Sequence, residues 1–99
     1  MDFEYDSQKS EANRRKHGLT LEEATILWLE PGVEIRARTV DETRFCRIGK
    51  IQDKLYSCFF TIRNQKIRLI SARRSRPKED KIYEEKIHEE KKENGNEGP

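Results

Sequence analysis

The chain has 99 residues, room for one compact domain and not two, and at 32% hydrophobic and 40% charged it can bury only one thin apolar layer. No stretch approaches the roughly 20 apolar residues of a membrane helix, and the acidic start MDFEYDSQKSE lacks the apolar run of a signal peptide, so the expected compartment is the cytoplasm. Cys46 and Cys58 are too few and wrongly spaced for a zinc site or a disulfide framework; they read as reduced core thiols, although a hairpin could bring them together.

Phe3 and Tyr5 alternate with charge, as in a short N-terminal strand. Asp6 is placed to cap a helix over DSQKSEANRRKH, which has almost no apolar residue beyond Ala12 and must be held by its neighbours. Gly18 ends it. Thr20 and Glu23 make a capping box, and Leu21, Ala24, Leu27 and Trp28 share one face of a second helix that stops at Glu30-Pro31-Gly32. From Val33 the period becomes two. VEIRART, TRFCRIGKI, LYSCFFTIR and KIRLISARR predict an antiparallel four-stranded meander, with Asn64-Gln65 as a two-residue turn.

That turn sets Arg63 opposite Lys66, Thr61 opposite Arg68, Phe60 opposite Leu69 and Phe59 opposite Ile70. One face then carries Tyr56, Cys58, Phe60, Ile62, Ile67, Leu69 and Ser71, continued inward by Val33, Ile35, Ala37, Cys46 and Ile48. The other carries Arg63, Lys66, Arg68 and Arg74 with Phe59, Ile70 and Ala72, joined by Arg36, Arg38 and Arg47. The helices are expected to cover the first face and leave the arginine face open. Ser75 and Pro77 open a third helix, PKEDKIYEEKIHEEKK, and ENGNEGP should be disordered. The fold class is α+β: the meander, the short N-terminal strand, two N-terminal helices and one C-terminal helix. Residues 1–84 form the domain, and 85–99 a charged helical extension and tail.

The net charge of +2 hides an asymmetry. Residues 84–99 hold six acids and three lysines, leaving 18 basic and 13 acidic residues in 1–83, a net of +5. Between Arg63 and Lys81 there are eight basic residues and two acidic ones. Taken singly, arginines on a sheet face are usually solvated or paired with a nearby acid. As a group with few acids opposite, they ask for an anion, and guanidinium suits phosphate because it donates two parallel hydrogen bonds. Phe59 on the same face could stack a base. The concentration of positive charge points to a polyanionic partner.

RNA cleavage asks for little beyond phosphate binding. The 2′-hydroxyl attacks its own neighbouring phosphate, so the protein needs neither a nucleophile nor a metal. It must orient the attack, move protons and stabilise a more negative phosphorane. Candidates for proton transfer are His17, Tyr83, Glu79, Lys9 and Lys16. Histidine is the side chain whose ordinary titration falls nearest neutrality. Equally, a histidine in the last turn of a helix interacts well with the helix dipole. Tyr83, on a helix's apolar stripe, is expected near the point where Arg73 and Arg74 emerge if that helix folds back, but an aromatic there is also ordinary core. No glycine-rich nucleotide loop and no spaced metal-ligand cluster is present.

FEYDSQKSEANRRKHGLTLEEA, TRFCRIG and TIRNQKIRLISARRSRPKEDKIYE resemble, in order and spacing, the BrnT family of bacterial toxins over about residues 2–84. The motif positions are Asp6, Lys9, Asn13, Lys16, His17, Gly18, Arg44, Gly49, Arg63, Arg68, Ser71, Arg73, Arg74, Glu79 and Tyr83. Of these, Asp6, Asn13 and Gly18 read as a cap, a polar anchor and a helix stop. Tyr5 stands where the family often has tryptophan, and the charged tail after Glu84 departs from its pattern. The resemblance implies a RelE-like fold, metal-independent RNA cleavage and neutralisation by a BrnA-like ribbon-helix-helix antitoxin in a 2:2 complex. That complex represses its own operon and reaches operator DNA only through the antitoxin. RelE-like enzymes commonly use arginines, lysines and a C-terminal tyrosine; by position these are Arg73 or Arg74, and Tyr83.

The expected catalytic set is therefore Arg63, Arg73, Arg74, Tyr83 and His17, and the expected RNA-binding set is Lys9, Lys16, Arg36, Arg38, Arg47, Lys66 and Arg68. No metal and no cofactor is expected. Two other readings stay open: an inactive BrnT-like module that acts as co-repressor with its antitoxin, and a general single-stranded RNA binder.

Overall fold

The computed structural model describes residues 2–37 and 42–95, with side chains to Glu90. The first helix, α1 (Ser7–His17), starts where Asp6 Oδ1 accepts the backbone N–H groups of Gln8 (2.8 Å) and Lys9 (3.0 Å). It ends at Gly18, whose φ of 84° lets its N–H return to the Arg14 carbonyl. Only Ser10 and Asn13 of this helix are buried, so polar groups dock it. Ser10 Oγ accepts the Leu21 N–H (2.9 Å). The Asn13 amide donates to the carbonyls of Leu19 and Ala72 (both 2.8 Å) and accepts the Ala72 N–H (3.0 Å). Asn13 thus stands in for a neighbouring strand along an otherwise open sheet edge. The expected capping box of Thr20 and Glu23 opens α2 (Leu21–Ala24), which tightens into a 3-10 turn over Thr25–Trp28.

The sheet comprises β1 (Phe3–Glu4), β2 (Val33–Ala37), β3 (Arg44–Ile51), β4 (Lys54–Arg63) and β5 (Lys66–Arg74), in the order β1-β5-β4-β3-β2. Strands β2 to β5 form the antiparallel meander, and β1 adds a fifth strand parallel to β5. Both tight hairpins place two successive residues at positive φ: Gln52 and Asp53 (51° and 68°), then Asn64 and Gln65 (53° and 66°). These are the values of the mirror-image turn that matches strand twist. Arg63, Thr61 and Phe60 face Lys66, Arg68 and Leu69 as expected. Phe59, however, faces Ser71 and not Ile70, because a bulge leaves Ile70 as an extra residue.

The bulge and the β3–β4 register redistribute the side chains. Cys46 pairs with Phe59, and Arg47 with Cys58, so Cys46 and Cys58 lie on opposite faces. One face packs Cys58, Phe60, Ile67, Leu69 and Ala72 against Leu19, Leu21, Ala24 and Leu27 of the N-terminal helices. Phe3, Trp28, Phe60 and Phe45 continue it as a chain of rings with centroids 5.1–5.5 Å apart. The other face packs Val33, Cys46 and Ile48, with Ile35, Leu55 and Phe59, against Tyr83, Ile82 and Ile87 of α3 (Pro77–Gly95).

Two thin cores therefore replace the single layer and open arginine face expected from composition. The second exists because Val33, Ile35, Cys46 and Ile48 supply an apolar patch on that face and α3 supplies the matching stripe. Ile62, expected inside, is 56% exposed beyond the end of the first core. Helix α3 also continues through Glu93-Asn94-Gly95, where disorder was expected. Among the described residues, no helix is long and apolar enough to cross a membrane.

Candidate RNA-binding site

The strand-end arginines diverge. Arg73 pairs with Ser57 across the sheet and Arg74 with Tyr56, so their side chains take opposite faces. The Arg73 guanidinium lies 5.1 Å over the Phe59 ring and donates two hydrogen bonds of 2.8 Å to the Glu79 carboxylate. Glu79 also accepts the Ser57 hydroxyl and the Arg76 N–H (2.9 Å each). Burial works to raise the Glu79 pKa. The hydrogen bonds from Arg73, Arg76 and Ser57, with the charge of Arg73, outweigh it and hold the carboxyl at about 2. The side chains of Arg73 and Glu79 are 17% and 16% exposed, and the pair pins the first turn of α3 to the sheet.

Arg74 is exposed. Its guanidinium sits 5.5 Å over the Tyr56 ring and Nε donates to the Leu55 carbonyl (3.3 Å). Among the described residues it has no carboxylate partner. The bulge decides this setting, since it moves Arg74 from opposite Leu55 to opposite Tyr56.

Helix α1 brings further cations to the same end of β5. Phe3 lies beside Ile67 and Asn13 is bonded to Ala72, so the chain from β1 through α1 advances in the direction of β5. The turn after Asn13 carries Lys16 and His17, and Lys9 lies one turn before Asn13. All three are exposed, with no ion-pair partner among the described residues.

A family described as the ribonuclease toxin BrnT of type II toxin–antitoxin systems matches residues 5–79. The chain belongs to the BrnT toxin family. No curated protein matches it. The BrnT match takes in the Asp6 cap, the Asn13 anchor, both strand-end arginines and Glu79, and stops before Tyr83.

The other positions expected of a BrnT site form a second group or serve elsewhere. Arg63 lies 3.5 Å from Glu42, Arg68 lies 3.4 Å from Glu4, and Lys66 is exposed beside the Asn64-Gln65 turn. This cluster is about 20 Å along β5 from Arg74, at the usual rise per strand residue. Arg47 braces the helical layer: it donates to the carbonyls of Leu27 (2.8 Å) and Glu30 (3.1 Å), pairs with Glu34 (2.9 Å) and lies over Trp28. That places Arg47 among packing contacts, where the sequence had put it on an open surface. Arg36 is exposed on the edge strand β2, and Arg38 lies outside the described residues.

Tyr83 is 7% exposed among Val33, Cys46 and Ile48, across the sheet from Arg74. The expected neighbourhood is thus corrected for Arg74 alone: α3 folds back onto the β2–β3 side, where Arg73 is bonded to Glu79 one turn before Tyr83. Among the described residues, no group of three or more His, Cys, Asp or Glu side chains is disposed to hold a metal ion. Tyr56 was missed as the platform for Arg74, since no local signal in the sequence marks the bulge that brings them together.

Proposed function

We propose that this BrnT-family chain is a metal-independent endoribonuclease with Arg74 as its principal phosphate-binding group. The observation that carries the reading is the setting of Arg74: an exposed guanidinium, fixed over Tyr56 and by the Leu55 carbonyl, with no carboxylate among the described residues to neutralise it. A positioned, uncompensated cation is what a phosphorane needs, because its charge exceeds that of the ground-state phosphate. The 2′-oxygen forms a bond to phosphorus while the bond to the 5′-oxygen breaks, leaving a cyclic phosphate and a 5′-hydroxyl. His17 serves as the group that moves the proton, and Lys16 and Lys9 extend the positive edge. Arg63, Lys66 and Arg68, with Arg36 on the outer strand, guide RNA away from the reacting phosphate. Arg73 contributes by holding Glu79 and α3 in place.

The same reading takes the fold as RelE-like and the partner as a BrnA-like ribbon-helix-helix antitoxin in a 2:2 complex that represses its own operon. One observation favours the inactive co-repressor instead: Arg47, Arg63, Arg68 and Arg73 each have a carboxylate partner, leaving fewer free cations than composition promised. Incubating the purified chain with total RNA in excess EDTA separates the two. Cleavage that Arg74→Ala abolishes supports the ribonuclease. Intact RNA with a folded wild-type chain overturns metal-independent cleavage of free RNA and favours the co-repressor.

A further inference from the structure

On the face of the sheet away from Arg74, a cleft of about 560 Å³ opens between the start of β2, the β3–β4 hairpin and the middle of α3. Its apolar walls are Pro31, Ile87 and the ring of Tyr83, and Glu30, Asp53 and Glu90 stand around it with a single lysine, Lys50. None of the three carboxylates has a side-chain partner among the described residues. Glu30 and Asp53 come from residues 1–83, which carry +5, and Glu90 from the acidic segment that follows.

Tyr83 adds a hydrogen-bonding group to the lining of the cleft. The residue is 7% exposed, yet among the described residues its hydroxyl makes no hydrogen bond, and no unpartnered side-chain oxygen is sealed in the interior. The phenol oxygen is therefore open to solvent, and Tyr83 is one of the residues that line the cleft. In the free chain solvent meets this hydroxyl, and a donor on a docked segment can take the water's place. Leu29, 80% exposed, immediately precedes Glu30 and Pro31 and offers an uncovered apolar side chain beside the rim.

We infer that this cleft is a protein-docking site that receives a segment of a partner polypeptide in which lysine or arginine flanks a bulky apolar residue. The apolar side chain fills the floor against Tyr83 and Ile87, a donor from the segment reaches the Tyr83 oxygen, and the cations meet Glu30, Asp53 and Glu90. An aromatic anchor in a pocket with a charged rim is the usual anatomy of an interface centre. The carboxylates repel phosphate, so RNA is not the occupant. Because the cleft and Arg74 lie on opposite faces, docking here does not depend on whether the chain cleaves RNA.

The test is fluorescence anisotropy of short labelled peptides against the full chain. The probes are a lysine- and arginine-rich peptide interrupted by leucines, the same peptide with serines for leucines, and an acidic counterpart. The leucine-containing basic peptide is expected to bind at least about tenfold more tightly than either of the others. Asp53→Lys with Glu90→Lys should weaken it by more than about tenfold, since like charges then face each other. Tyr83→Phe, which keeps the ring and the packing, should weaken it several-fold, while Arg74→Ala leaves it unchanged. Equal binding of the serine peptide or indifference to the charge reversals would each overturn the proposal.

Discussion

Arg73 and Arg74 are adjacent in sequence, yet one is locked to Glu79 by two hydrogen bonds of 2.8 Å on the α3 face while the other lies open over Tyr56 on the opposite face. Deleting each should therefore produce a different defect. Arg73→Ala leaves the Glu79 carboxylate and its turn of helix without their main partner. The expected loss is roughly 2–3 kcal/mol, below that of a fully buried pair because some solvent reaches the site. Arg74→Ala should change stability by no more than about 0.5 kcal/mol and lower RNA cleavage by about 10²–10³-fold. Urea denaturation beside a cleavage assay separates the two, and equal unfolding by both variants would contradict the division of labour.

The same ion pair makes stability depend on pH. Glu79 has its carboxyl held at about 2 in the folded chain against an ordinary value of 4.5. A depressed folded-state pKa contributes stability that is complete above the unfolded value. It is lost as pH falls from about 4.5 towards 2. Denaturation midpoints measured across that window should fall with pH in the wild type and fall less steeply in Glu79→Gln. Parallel slopes in the two proteins would show that other carboxylates control the acid limb.

How much of this was legible depends on the range of the signal. The caps of α1, the Thr20–Glu23 box and the Asn64-Gln65 turn are local, and the strands announce themselves by alternation. The bulge at Ile70 has no glycine or proline to mark it, so the faces of Ser71 through Arg74 were read one residue out of step. The acids that occupy Arg47, Arg63, Arg68 and Arg73 lie in other elements, from Glu4 to Glu79, and only the folded sheet brings them together. The second core was hidden for a related reason. Its apolar residues are few on each strand and become a layer only when β2, β3 and α3 meet.

Burial and register together predict inert cysteines. Burial, with a smaller contribution from the charge of Glu79, pushes the Cys46 thiol up to about 11, and burial raises Cys58 further. The thiols also lie on opposite faces of the sheet, so no internal disulfide can form without unfolding. In the native protein at pH 8 both should react with a thiol-specific dye only at the rate of unfolding, and both at once in denaturant. Mild oxidant should leave the chain without a cross-link and with two titratable thiols. Rapid labelling of either cysteine in the folded chain would show that its part of the sheet opens locally.

Asn13 is the side chain on which α1 most depends. Its amide bonds the Leu19 carbonyl and both backbone groups of Ala72, and the helix has no apolar stripe to hold it otherwise. Asn13→Ala leaves a buried N–H and two carbonyls unpaired, with an expected cost of about 2–4 kcal/mol. Asn13→Asp keeps the shape and the acceptor but loses both donors and buries a charge against two carbonyl oxygens, so it should be no better tolerated. Because the amide closes the edge of β5, exchange of the Ala72 N–H should accelerate in both variants before the protein unfolds. On the proposed roles of Lys16 and His17, which the turn after Asn13 carries, cleavage should fall as well. A stable Asn13→Ala protein with an unchanged Ala72 exchange rate would mean that α1 is held by contacts other than this amide.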